Sequence, residues 1–480
     1  MLRWFIVPAF LCVPVLLLGA VVSADEIVST LADQQEVAVT IYNEDLALVR
    51  DQRQVTLPVG NVDLALREVS ARIRPETALL RSLTRPAGLT ILEQNFDFDL
   101  LTPHKLLEKY VGKEVRLVRT HPESGEDRFE TARVLAANDG VVLQIGDRIE
   151  TGVPGRLVFS NVPATLRDRP TLVISLDNAA SGLQTMELSY LTGGLGWRAD
   201  YVAELNPDDT ALDLSGWVTL TNQSGTTYRN ALLQLVAGDV NRVREEIHLR
   251  SDVVMAAGMV KEAAPQMREE SLFEYHLYTL QRPTTIKDNQ TKQVSLLNAA
   301  GVVINKEFRL QGNPYYYRGQ QGGLGEKLKV GVFVEFDNRK RDNLGMPLPK
   351  GIVRVYKQDQ QGRPQFVGED RIDHTPENEA VRLKLGDAFD VTAERRQTDF
   401  RKLGGDGRYN YRFESAYEIT LKNAKEEEVT VTVAETVPGD WRMLLESHSH
   451  TKAAADTALW KIRVPAKGEV VLTYRVEVSY

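Results

Sequence analysis

Residues 190–242 read YLTGGLGWRADYVAELNPDDTALDLSGWVTLTNQSGTTYRNALLQLVAGDVNR. Ala199 to Leu205, Ala211 to Thr221 and Ala231 to Ala237 are short runs of alternating apolar residues, separated by clusters of Gly, Asn, Asp and Thr. A two-residue apolar period with such punctuation is the pattern of half-buried strands joined by tight turns. Leu205-Asn206-Pro207-Asp208-Asp209 forms one turn and Asn222-Gln223-Ser224-Gly225 another. Trp197, Tyr201 and Trp217 alternate with polar residues, which assigns them to a sandwich core. Nothing in the stretch is a reaction signature.

Outward from it, Leu172 to Leu176 and Thr185 to Leu191 add strands at sandwich spacing, so residues 164–250 read as an antiparallel β-sandwich carrying the decisive stretch. Residues 251–272 break the rhythm, being rich in Ala, Met and Glu, with Gly258 and Pro265 interrupting any long helix; they are expected as a linker or surface loop. Residues 273–480 return to strands, ending in Ala458 to Val464 and Gly468 to Val478 around a Pro465-Ala466-Lys467 turn, a further sandwich region. Upstream, 25–100 is a β-meander in which Val37, Val39 and Ile41 alternate and Pro58-Val59-Gly60-Asn61 reverses the chain. Residues 101–163 differ: a short helical turn, Pro103 to Tyr110, precedes about five short strands, the order of a small Sm or SH3-like barrel. The fold class is therefore all-β and multi-domain, with antiparallel sandwiches, a small barrel and few short helices.

The 480 residues suit roughly three domains at about 150 residues each. Hydrophobic residues at 42% and charged residues at 26% are those of a globular chain, and a net charge of -8 without a Lys/Arg block argues against nucleic acid as a partner. Residues 1–24 read as a secretory signal peptide: Arg3 opens a positive region, Trp4 to Val22 is apolar, and Val22-Ser23-Ala24 offers small residues for cleavage. After cleavage no stable transmembrane span is expected, and the location is secreted or periplasmic. The single cysteine, Cys12, lies in this leader, so the mature chain has no disulfide, thiolate ligand or cysteine nucleophile.

Tyr190, Gly194, Trp197-Arg198-Ala199-Asp200-Tyr201, Asn222, Asn230-Ala231 and Ala237-Gly238-Asp239 together resemble a bacterial secreted family of unknown function, numbered 4139 among such domains, whose relatives include mucoidy-inhibitor-A-like proteins. Asn343-Leu344-Gly345, Pro347-Leu348-Pro349-Lys350-Gly351, Gly368-Glu369-Asp370 and Leu385 to Asp390 extend the resemblance over nearly all of the mature chain. It implies a secreted, β-rich protein and carries no catalytic residue with it.

Chemistry-bearing spots are few. Gly319 to Gly325 is glycine-rich, but Glu326 stands where a phosphate loop needs Lys before Ser or Thr, so a flexible hairpin loop is expected. Asp370, Asp373 and His374 cluster in sequence, yet adjacent extended residues face opposite ways. His448 and His450 read as exposed loop residues, and Asp97 and Asp99 as surface carboxylates without further calcium ligands. No cofactor or metal is indicated. Three consecutive tyrosines, Tyr315, Tyr316 and Tyr317, cannot all enter one core; at least one is expected to face outward, where a ring serves sugar stacking or protein contact, the others packing beneath the glycine-rich loop. The leading functional reading is a non-enzymatic binding or scaffold protein of the cell envelope, its partner a protein or an envelope polymer. A secreted hydrolase acting on envelope carbohydrate or peptide, and a self-assembling structural subunit, are the alternatives; the oligomeric state is open.

Overall fold

A computed structural model describes residues 26–43, 45–97, 99–138, 140–163, 166–238, 240–241, 267–325, 327–405 and 407–480. The leader, with Cys12, and residues 251–266 of the Ala/Met/Glu segment lie outside them. The described chain is overwhelmingly β, with one α-helix, Pro103–Lys109, and a few short 3-10 turns. None of its helices is long and apolar enough to cross a membrane.

The chain forms two compact units. The first comprises residues 1–36 and 50–190, the second 37–49 and 191–480. In the first, Glu26–Ser29, Gly60–Arg67, Thr171–Asn178 and Leu89–Asp97 make a four-stranded sheet in that order, the first pair parallel. Alternation buries Leu64, Leu66, Leu172, Ile174 and Leu176 on one side. The 101–163 region begins with the helix, capped by the Thr102 hydroxyl accepting from Lys105 N–H at 3.1 Å and started by Pro103. Five antiparallel strands follow, ordered Arg148–Thr151, Val142–Ile145, Asp127–Ala136, Glu114–Thr120 and Arg156–Val158, so the last strand returns to the first. Leu107, Tyr110, Leu117, Val134 and Leu143 share their core. The helix and strand count match the sequence reading, but the sheet is open: no ladder joins Arg148–Thr151 to Arg156–Val158 among the described residues, so the expected barrel is not closed.

In the second unit, the decisive stretch supplies two neighbouring strands, Leu195–Leu205 and Ala211–Asn222, of a five-stranded sheet ordered Gln290–Val303, Ala211–Asn222, Leu195–Leu205, Gly351–Gln358, Pro364–Ile372. Its third strand, Tyr228–Ala237, lies in another sheet between Tyr275–Leu280 and Gln34–Tyr42, parallel to the latter. The two sheets face each other: Trp197 Nε1 donates to Val236 O at 3.3 Å, and its ring lies 6.5 Å from that of Tyr278. Trp197 and Tyr201 are core residues as expected. Trp217 is not; it is half-buried, out of phase with Leu212, Leu214, Val218 and Leu220, which face the core. Met267–Leu272, the end of the stretch expected as a linker or loop, forms a strand antiparallel to Tyr275–Leu280 with Met267 buried opposite Leu280.

The sheet that holds Tyr228–Ala237 continues from Gln34–Tyr42 through Leu46–Leu57 and Gly182–Thr192 to Leu79–Ser82. A further nine strands form one sheet ordered Asp440–Glu446, Glu469–Ser479, Arg412–Asn423, Ala380–Leu403, Leu328–Asp337, Asn305–Gln311, Val429–Thr436, Thr457–Val464, Thr451–Ala454. It folds over on itself around a single core. Trp460, near one end of that order, stacks at 4.9 Å on Tyr474, near the other.

Candidate binding site

Asn313-Pro314-Tyr315-Tyr316-Tyr317-Arg318 begins with a turn signal: the Asn313 side chain accepts from Tyr315 N–H at 3.2 Å, and Pro314 supplies a preset φ for a 3-10 turn, Pro314–Arg318. Three residues per turn set successive side chains about 120° apart. The tyrosines are therefore splayed. Tyr315 is 52% exposed, whereas Tyr316 and Tyr317 are buried in the core of the nine-stranded sheet.

Beneath them lies a polar cluster inside an apolar core. Tyr317 Oη donates to Glu435 Oε2 at 2.9 Å and lies 2.9 Å from the Tyr474 hydroxyl. The other Glu435 oxygen pairs with Arg395, and both charged side chains are almost wholly buried. The chain passes this carboxylate at Gly312, where a Cβ would collide with it. Burial pushes the Glu435 carboxyl up, against the opposing pull of Arg395 and Tyr317. Burial also raises the Tyr317 and Tyr474 phenols, and Tyr417 is pushed up to about 12 by the same cause. These phenols stay neutral donors at ordinary pH.

The cluster fixes Tyr316, against which the exposed ring packs. The Arg395 guanidinium sits 4.8 Å from the centre of the Tyr316 ring, and Tyr315 packs edge-on against that ring at 4.7 Å and 68°. Tyr417 Oη donates to Tyr316 O at 2.7 Å. Gln397 then straps the glycine-rich loop: its Oε1 accepts from Gln321 N–H at 2.7 Å, and its Nε2 donates to Gly319 O at 3.2 Å and to Tyr417 Oη at 3.1 Å. Arg395 N–H donates to Gly325 O at 3.1 Å, and Leu324 is buried. The loop expected to be flexible is thus held at several points. Of its glycines only Gly325, at a positive φ of 118°, is required by the path, and the Ala380–Leu403 strand fixes the loop through the Gln397 side chain and the Arg395 main chain.

The other sequence-marked groups do not converge on this site. Asp97 pairs with Arg167 at 2.9 Å, and Asp99 with Lys109 at 2.8 Å. Asp370 accepts from the main-chain N–H of Lys384 at 2.7 Å and of Arg371 at 2.8 Å, tying two strands together. His374 Nδ1 accepts from Lys350 N–H at 3.2 Å. His450 is not the exposed residue expected: its ring lies between Trp441 and Trp460, 5.5 and 5.7 Å away, with Nδ1 2.9 Å from Glu446. Among the described residues no group of three or more His, Cys, Asp or Glu stands where it could hold a metal ion.

Arg395, Glu435 and Gln397 carry no motif and were not singled out by the sequence. A signal was present all the same: Arg395 is in phase with Val391 and Ala393, and Glu435 with Val431 and Val433, so both charges occupy inward positions of their strands.

The sequence pattern of the domain of unknown function DUF4139 matches residues 186–480. The chain belongs to this family. No curated protein matches it. The DUF4139 match begins within the strand Gly182–Thr192 and takes in the tyrosine turn, Arg395 and Glu435; it is narrower than the span the sequence resemblance implied, since residues 25–185 precede it. The residues that carried the resemblance have structural work. Tyr201 Oη donates to Pro349 O and Tyr278 Oη to Pro347 O, each at 2.8 Å, so two core phenols hold the Pro347-Leu348-Pro349 segment. Gly351 then enters its strand where a Cβ would strike the Ala199 carbonyl.

Proposed function

We propose that this DUF4139 protein is a non-catalytic binding protein of the cell envelope, exported by its leader, and that its partner is held at the face presented by Tyr315. One observation carries the reading: an exposed phenol whose packing neighbour is pinned by a buried cation and by a main-chain hydrogen bond. A large side chain already immobilised loses little conformational entropy on binding, which is how aromatic anchors contribute to affinity. The carboxylates and histidine that a hydrolase reading relies on, Asp97, Asp99, Asp370 and His374, are each engaged by a cation or a main-chain N–H, which supports binding over hydrolysis.

Co-sedimentation of the purified protein with isolated cell-envelope material tests this. Wild type and Tyr315→Phe are expected in the pellet and Tyr315→Ala at least about five-fold less, because removing one aromatic anchor typically costs 1 kcal/mol or more. Equal retention of wild type and Tyr315→Ala would refute the reading.

A further inference from the structure

We propose that the Tyr315 face is one part of a strip that binds an acidic polysaccharide, completed by Arg318, Tyr411 and Lys402; this rests on the binding role just assigned to Tyr315. Arg318 lies on the same 3-10 turn, exposed, with its guanidinium beside the Tyr480 hydroxyl. Tyr480 in turn exchanges main-chain hydrogen bonds with Tyr411, donating at 2.9 Å and accepting at 3.4 Å. Tyr411 is 54% exposed, and the Lys402 ammonium sits 5.6 Å from its ring centre. A second aromatic floor supports this half: Tyr480 packs edge-on against Phe413 at 6.0 Å, and Phe413 stacks on Phe400 at 5.7 Å. Two exposed rings and two cations thus lie on neighbouring segments that meet at Tyr480.

The cations are uncommitted. Arg401 is paired with Asp399 at 3.2 Å and Arg412 with Glu477 at 2.6 Å, but neither Arg318 nor Lys402 has a carboxylate partner among the described residues. A sugar ring offers C–H groups to the negative face of a phenol, and a uronic acid adds a carboxylate for a neighbouring cation. Each exposed charge contact is weak, about 0–1 kcal/mol, so a repeating polymer that engages several at once is the ligand such a strip suits. A protein partner would instead need a desolvated apolar centre, and here the rings are flanked by Asn313, Arg318, Gln320 and Gln321.

The test titrates polygalacturonate, dextran and poly-glutamate against the full-length protein and its Tyr411→Ala, Lys402→Gln and Arg318→Gln variants, with melting temperatures recorded alongside. Polygalacturonate is expected to bind the wild type at about 50 mM salt and to weaken as salt rises. Dextran, which lacks charge, and poly-glutamate, which lacks sugar faces, are expected to bind about ten-fold less tightly. Each variant should lose about three-fold or more in affinity with its melting temperature unchanged, since the altered side chains are exposed. Absence of polygalacturonate binding, equal binding of poly-glutamate, or unaltered affinity of Tyr411→Ala would overturn the proposal. If envelope retention depends on Tyr315 while polygalacturonate is ignored, the binding role stands and the polysaccharide assignment falls; if neither is observed, both fall.

Discussion

Glu435 and Arg395 show how a buried ion pair organises a core. Each removes the other's charge from an apolar setting, and Tyr317 adds a hydrogen bond, yet Nε and Nη1 of Arg395 are buried without an acceptor among the described residues. Such pairs are costly to break and weakly stabilising as a whole. Glu435→Ala is therefore expected to cost about 3–5 kcal/mol in urea unfolding, while Arg395→Met combined with Glu435→Leu recovers most of that loss. A single mutant close to wild type would contradict this. Asp209 makes a different residue-scale case. Burial raises its carboxyl, but the Lys306 and Lys357 ammonium groups, 2.6 and 2.5 Å away, hold it below the ordinary value of 3.8. A depressed carboxyl contributes stability above its unfolded-state value and loses it as pH falls through the folded-state value. The wild type's advantage over Asp209→Asn should thus be full at pH 7 and shrink as pH drops below about 4; an advantage independent of pH would refute the assignment. Asn suits the positive φ of 56° at this position, so the substitution isolates the charge. What the sequence showed at this scale was phase: Arg395 and Glu435 fall on inward positions. Their pairing was not legible, because the partners are 40 residues apart and belong to strands that are not neighbours in the sheet.

Elements were the most legible level, since a two-residue apolar period marks a strand wherever one face is buried. The Ala380–Leu403 strand shows the limit. Val381 to Leu385 alternates as a strand does, but Gly386, Asp387 and Asp390 are residues depleted in sheets and mask its continuation. The structure continues through them with a register slip: Gly331 pairs with Asp387 but Lys329 with Thr392, so extra residues loop out and Phe389 is left 95% exposed. The strand resumes with Val391, Ala393 and Arg395 facing inward, which delivers the site's cation. The parallel pairing of Leu195–Leu205 with Gly351–Gln358 was equally hidden, because it joins segments far apart in the chain. Its contacts make sharp expectations. Gly351→Ala should destabilise the protein by about 1–3 kcal/mol or more, as the methyl would be driven against the Ala199 carbonyl. Tyr201→Phe, which strips Pro349 O of its donor, should cost about 1–3 kcal/mol with the ring still packed. Unchanged denaturation midpoints in both would remove the structural roles assigned to Gly351 and Tyr201.

At the level of the molecule, the second unit is not one stretch of chain. Gln34–Tyr42 supplies a strand parallel to Tyr228–Ala237, with Val39 and Ile41 fully buried, although it lies far upstream of the DUF4139 match. A fragment of residues 186–480 leaves that neighbour strand unpaired and its core face open, so it is expected to be poorly soluble, whereas the full-length chain is not. A stable, soluble fragment would show the upstream strand to be dispensable. The functional claim is most directly tested by photo-cross-linking: a benzophenone side chain is placed at position 315, 411 or 389 of the full-length protein, which is then irradiated with isolated cell envelope. Cross-links from 315 and 411 but not from the still more accessible Phe389 position are expected; cross-links from 389 alone, or with equal yield from all three, would contradict a partner seated on the Tyr315 face.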